Sequence, residues 1–203
     1  MEPKAERTDE EWVGRCLAGD RESFAPLVDR HKERVFWLVL RIAGREEAED
    51  LTQEVFLRAY RALSRFRGES LFSTWLYRIA RNVALSHLRK RSGKGEALSL
   101  DEEGEEKIHL LAGGGADPEK AFEERDAAER VRALVERLPE PYRTTLTLYH
   151  LHQLRYEEIA GVMGTPLGTV KTNLHRARRK LREMVLRETD LADRRGPEGG
   201  IEA

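Results

Sequence analysis

"GTPLGTVKTNLHRARRKLRE", from Gly164 to Glu183, decides the reading of this 203-residue chain. It opens with turn chemistry and closes in dense positive charge: six Lys or Arg and no Asp or Glu stand between Lys171 and Arg182. Gly164 reaches positive φ at little cost and so ends a helix. Within Tyr156–Met163, Ile159, Ala160 and Met163 stand at the spacing of such a helix. Thr165 is a good N-cap for the next helix, and Pro166 suits a first turn, where a missing N–H does no harm. Helix, short glycine turn, helix is the helix-turn-helix pattern. At about 100° per residue, Val170, Leu174, Ala177 and Leu181 share one face. Gly168, Thr172, His175 and Arg179 lie opposite, with Lys171 and Arg176 on the flanks. The second helix should bury a narrow apolar stripe and present a broad cationic surface, the shape of a recognition helix in a major groove. Gly168 would allow close backbone approach to a phosphate. A merely solvated basic face is the bland alternative, but here turn chemistry, stripe and charge agree.

Whole-chain composition does not make this argument. The formal net charge is −1, so any case for nucleic-acid binding must be local. Charged residues make up 36% of the chain, which fits small, amphipathic, well-solvated helices. The single cysteine, Cys16, excludes an internal disulfide framework and reads as an inert thiol. The longest apolar run, Val35 to Leu40, is far short of the roughly 20 residues that span a bilayer. The N-terminus, "MEPKAERTDEEW", is unlike a signal peptide. A cytoplasmic protein without membrane insertion is expected.

Strand alternation is nearly absent and helical spacing recurs. A first amphipathic stretch covers about Glu10 to Gly44, punctuated at Gly19-Asp20. A second runs from Glu46 to Phe66, with Ala48, Leu51, Val55, Ala59, Ala62 and Phe66 as its stripe. "RGES" (Arg67–Ser70) breaks the pattern. A third helix starts near Ser70, carries Phe72, Leu76, Ile79 and Val83 on one face, and ends in "LRKR" (Leu88–Arg91). From Ser92 to Asp117 glycine and acidic residues dominate, as in a flexible linker. Gly95 to Arg130 holds 12 acidic residues against four Lys or Arg. Helical spacing resumes near Ala121 and continues past Leu138. Pro139 and Pro141 mark a turn, and two more helices follow, divided at Gly164. The tail "DRRGPEGGIEA" reads as disordered. The expectation is an all-α chain. Its two small helical domains, the second a helix-turn-helix, are joined by a flexible acidic linker, with boundaries at 1–95, 96–120 and 121–190 and a tail over 191–203.

Two blocks carry a family resemblance. "LPEPYRTTLTLYHLHQLRYEEIAGVMGTPLGTVKTNLHRARRKLRE" resembles the C-terminal DNA-binding domain of bacterial extracytoplasmic-function (ECF) sigma factors. "DLTQEVFLRAYRALSRFRGESLFSTWLYRIARNVALSHLRKR" resembles their N-terminal domain, and "FAPLVDRHKERVFWLVLRIAG" extends the likeness, which covers most of residues 10 to 188. Two blocks in order around a variable linker are far more specific than a lone helix-turn-helix. The family are initiation subunits of RNA polymerase. The resemblance implies that the first domain grips the polymerase clamp, in the largest subunit, and opens the −10 element. The second reads the −35 element beside the flap of the second-largest subunit.

The resemblance implies that the D-x-x-Q-E face, with Asp50, Gln53 and Glu54 and with Leu57 beside them, binds the polymerase. Leu57, apolar on an otherwise polar outward face, supports a partner surface. The loop "FRGESLF" has aromatics at both ends and donors between, as single-stranded bases require. The resemblance makes it the capture site of a flipped −10 base. Phe66, Arg67, Gly68, Ser70 and Phe72, with Arg78, Arg81 and Asn82 on the next helix, are then the −10 residues. Arg89 also projects from that side toward phosphates. Core packing is the rival reading of Phe66, Phe72 and Trp75, and Trp75, beside the Phe72–Ile79 stripe, reads as core. Gly168, Thr169, Lys171, Thr172, His175, Arg176 and Arg179 are the −35 residues. A cognate anti-sigma factor is the further partner implied. No cofactor and no metal are expected.

Two rivals are weaker. An enzyme would need more than the single E-x-x-H at Glu106 and His109, which di-iron helices use in pairs. His150 and His152 are two apart and share no helix face, and no phosphate loop or nucleophile motif is present. An autonomous helix-turn-helix repressor or activator has no need of the first block.

Overall fold

A computed structural model of the chain describes residues 7–92, 130–131 and 133–194, and among these all regular structure is helical. Helix α1 (Asp9–Leu17) opens with a capping box: the Thr8 N–H donates to Glu11 Oε2 at 2.8 Å, and the Glu11 N–H to Thr8 Oγ1 at 3.3 Å. These bonds satisfy donors that a helix start leaves free. Gly19, at φ +103°, and Asp20 divide α1 from α2 (Phe24–Ala43). The amphipathic stretch read over Glu10 to Gly44 is thus two helices, divided where Gly19-Asp20 punctuates it. Asp9 ties them together, accepting from Arg30 at 2.8 Å and meeting His31 Nε2 at 2.6 Å. Burial alone would raise its pKa, but His31 and then Arg30 hold the carboxyl below its ordinary value.

Helix α2 buries Leu27, His31, Val35, Leu38, Val39 and Ile42, a stripe at three- and four-residue spacing, and stops at Gly44. Helix α3 (Ala48–Ala62) buries Ala48, Val55, Phe56 and Ala59. Helix α4 (Phe72–Ser92) buries Phe72, Leu76, Tyr77, Ala80, Val83 and Ala84. These three helices pack on one another, and each fully buried Leu or Val contributes roughly 1.5–3 kcal/mol. Ser70 does not cap α4; its hydroxyl donates to the Leu71 carbonyl at 3.4 Å, and the helix begins two residues later.

The linker expected over 96–120 lies outside the described residues. The chain is described again at 130, and Leu134 and Leu138 enter a second core. After Pro139 come three helices where two are expected: α5 (Glu140–His150), α6 (Tyr156–Met163) and α7 (Leu167–Arg194). The extra break is Leu151–Arg155. It holds a non-glycine residue at positive φ, Gln153 at +55°, and buries His152 and Leu154. Helix α7 continues to Arg194, so it runs through the first residues of the expected tail.

The second core collects Leu146, Leu148, Leu154, Ile159, Val162, Met163, Val170, Leu174, Ala177 and Leu181. It is docked on the first. The Arg143 guanidinium donates to the Ile42 carbonyl at 3.2 Å and the Glu136 carbonyl at 2.6 Å, and Arg41 pairs with Glu136 at 2.7 Å.

Candidate nucleic-acid and polymerase interfaces

The turn that aims α7 is made by Gly164, at φ +66° and ψ +34°, whose N–H closes α6 onto the Ala160 carbonyl at 2.8 Å. This is the left-handed cap that only glycine adopts without strain. Helix α7 starts one residue later than expected. The Pro166 carbonyl accepts from Thr169 and Val170 at 3.0 and 3.3 Å, while the Thr165 hydroxyl has no protein partner.

The predicted stripe of Val170, Leu174, Ala177 and Leu181 is buried. Gly168, Lys171 and Arg179 are exposed, and Thr169, Thr172 and His175 are half-buried. The Thr172 hydroxyl donates to the Gly168 carbonyl at 3.0 Å, its own helix four residues back. Arg178 lies over the Tyr149 ring, 5.5 Å from its centroid, and pins α7 to α5. One placement is corrected. Arg176 is 7% exposed and sits on the same side as Asn173, which is 1% exposed. The two are about 60° apart on the helical wheel, so the buried arc is wider than its apolar stripe. A long arginine stem can lie along such an arc, and Arg176 is withdrawn from the outward surface.

In the loop before α4, Arg67, Gly68, Glu69, Ser70 and Leu71 are exposed, with Gly68 at φ +70°. Leu71, 48% exposed, is an apolar side chain that the sequence reading passed over. Its signal was available: it stands off the Phe72–Ile79 stripe. Phe66 is half-buried, its ring 5.9 Å from Phe72 and 5.3 Å from Trp75. Phe72 is corrected: it is fully buried at the start of α4, against Phe66, Trp75 and His31, and offers no face to a base.

Arg78 and Asn82, four residues apart on α4, are exposed. Arg81 is not; it turns toward the second half, where Nη1 meets the Met163 carbonyl at 3.3 Å and Nε lies 3.4 Å from Glu140. On α3, Asp50, Gln53 and Leu57 are exposed, Leu57 by 51%. Glu54 is half-buried and paired with Arg58 at 2.6 Å.

Among the described residues no three His, Cys, Asp or Glu side chains gather where a metal could bind. Glu106 and His109 lie outside them. His152 is buried against Tyr77, their rings 5.0 Å apart, and neither of its nitrogens has a protein partner. Burial, then the Arg34 charge, lowers its pKa from 6.5 to about 4, so the ring is neutral. Cys16 is half-buried, and burial raises its thiol pKa. No helix among the described residues is long and apolar enough to cross a membrane.

Family models match both halves, Sigma-70 region 2 over residues 27–94 and Sigma-70 region 4 over residues 128–181. RNA polymerase sigma-H factor of Pseudomonas aeruginosa is 39% identical over 187 residues, covering 89% of this chain and 96% of that protein. ECF RNA polymerase sigma factor SigW of Bacillus subtilis is 35% identical over 170 residues, 82% of this chain and 91% of that protein. A solved structure of CnrH in complex with the cytosolic domain of CnrY superposes with a TM-score of 0.63 over 87% of this chain and 96% of that chain. At 21% identity, that likeness speaks for the fold alone. Both sequence blocks, in order and over nearly the full length of two relatives, lead to one conclusion: the chain belongs to the ECF sigma factors, transcription-initiation factors of RNA polymerase.

Proposed function

We propose that the two halves divide promoter recognition between them. Residues 1–95 bind core polymerase and open the −10 element, and residues 121–190 bind the −35 element. The polymerase face is the exposed row Asp50, Gln53 and Leu57 on α3, flanked by Glu54, seated on the clamp of the largest subunit. The flap of the second-largest subunit takes the second half. The −10 strand is read by the loop Arg67–Ser70 with Phe66 at its edge, and by Arg78, Arg81 and Asn82. The −35 duplex is read by Gly168, Thr169, Lys171, Thr172, His175 and Arg179. Promoter DNA, core polymerase in the cytoplasm and a cognate anti-sigma factor are the partners.

One observation carries this reading. An acidic and amide row that includes a half-exposed leucine lies on α3, while α7 presents Lys171 and Arg179 over a buried stripe. A simple DNA-binding regulator needs only the second of these surfaces. The test is transcription in vitro with core polymerase on a library of promoters. The expected result is polymerase-dependent transcripts from promoters sharing two spaced elements. Tight binding to one duplex element, with no effect on core polymerase, would refute it.

A further inference from the structure

The last turns of α2 and α4 and the start of α5 enclose a cavity of about 730 Å³, a volume typical of small-molecule sites. Its charged lining is Arg41, Arg45, Arg91, Arg143 and Glu136, four cations against one anion. Trp37 belongs to the same wall and is 38% exposed. None of the residues assigned above to the −10 element, the −35 element or the polymerase lines it.

Part of this charge has a structural duty. Helices α2 and α4 both end here, and a helix end carries roughly half a negative charge on its free carbonyls. Arg143 covers one of these, the Ile42 carbonyl, and Arg41 is held by Glu136. The remaining charge has no such duty. Arg45 and Arg91 are exposed and form no ion pair among the described residues. Arg143 keeps a buried Nε without a protein partner. Burial disfavours its charged form, which Glu140 and then Glu136 restore in part, and a further anion would act in the same sense.

Guanidinium groups are matched by phosphate oxygens, which accept two parallel bonds from one fork. A lone carboxylate would leave most of the cavity's charge uncompensated. The exposed Trp37 ring adds a flat apolar surface on which a planar ring can stack. A concave site of this size admits a small molecule and not a duplex. We infer that the cavity binds a nucleotide carrying several phosphates, its phosphates on Arg45, Arg91 and Arg143 and its base on Trp37.

The test is calorimetric titration of the full chain with ATP, GTP and inorganic triphosphate, in magnesium-free buffer so that the phosphates keep their charge. One nucleotide per chain is expected, with triphosphate as competitor. Arg45→Ala and Arg91→Ala alter exposed side chains and should each weaken all three ligands about tenfold or more. Trp37→Leu should weaken both nucleotides about fivefold or more and leave triphosphate unchanged. Glu136→Gln acts in the opposite sense: it removes the one acidic side chain of the lining and should tighten all three at least about twofold. A purely structural role for the arginines would produce none of these ligand effects.

The rival is adsorption of the polyanion on the basic face of α7. The double variant Lys171→Ala, Arg179→Ala separates the two, and should bind nucleotide as the wild type does. The proposal is overturned if no binding is seen at about 1 mM nucleotide, if the α7 double variant abolishes binding, or if Glu136→Gln fails to tighten it. Unchanged nucleotide affinity in Trp37→Leu would remove the base from the site, and the nucleotide assignment with it.

Discussion

Mild acid should loosen the seam between the halves, and His152 sets the size of the effect. His152 is 3% exposed, its ring packed at a tilt against Tyr77 of α4, with the Arg34 charge of α2 nearby. Burial and that charge hold its pKa at about 4, against 6.5 when free. Between these values the folded chain keeps the ring neutral while the unfolded or opened chain takes up a proton. The open form then binds more protons, so stability falls as pH drops below about 6.5 and levels off near 4. At pH 5 the accumulated loss is about 2 kcal/mol, or about 4–8 °C in Tm for a chain of this size.

Two other groups are separable. Asp9 is held below its ordinary pKa, so its contribution is lost only at more acid pH, below the window of interest. His150 is lowered by burial and then by Arg178, and acts in the same direction as His152. The control is therefore His152→Phe, which keeps a ring against Tyr77, cannot titrate and removes two nitrogens without protein partners. Denaturant unfolding of both proteins at pH 7.5 and pH 5 is the assay. The wild type should lose about 2 kcal/mol more than the variant over that interval. Parallel losses would show that His152 does not carry a buried neutral ring, and the reasoning would be refuted.

The remaining outcomes concern the outer faces. Asp50→Arg or Gln53→Ala should weaken capture of core polymerase while leaving the circular dichroism spectrum and Tm unchanged, because both side chains face outward; undiminished capture would remove α3 from the interface. Arg176→Ala should cost roughly 1–3 kcal/mol of stability, as changes at buried sites do, and leave −35 sequence preference intact. A relaxed preference, measured on a panel of −35 duplexes, would return Arg176 to the reading surface. Lys171→Ala should reduce the slope of log affinity against log salt by about 0.9 if it meets a phosphate, and an unchanged slope in a salt titration would exclude that contact.

The helices were legible because their burial repeats at helical spacing. The stripe Val170, Leu174, Ala177 and Leu181 is apolar in sequence and buried in the fold. So was the glycine turn, since a left-handed cap narrows the choice of residue almost to one. The break between α5 and α6 was not legible. "LHQLR" contains neither glycine nor proline, and Gln153 takes positive φ at a cost in backbone strain that local sequence does not announce. What offsets it is tertiary: His152 and Leu154 are buried on either side of Gln153. The one local signal lay just beyond, where Glu158 accepts from the Arg155 N–H at 2.7 Å and starts α6.

The candidate sites divide along the same line. Exposure of Asp50, Gln53, Leu57, Lys171 and Arg179 follows from each helix's own wheel, because an outward face needs no knowledge of neighbours. Phe72, Arg81 and Arg176 differ, since each depends on what lies across a seam. Phe72 could stack on a base or close a cluster, and the proximity of Phe66, Trp75 and His31 decides for the cluster. Arg81 advertises a charge that phosphates would satisfy, but a helix terminus satisfies it too. Sequence supplies the cation and leaves its anion open. The fold puts the Met163 carbonyl 3.3 Å away, and any strand of DNA that uses Arg81 must first displace it.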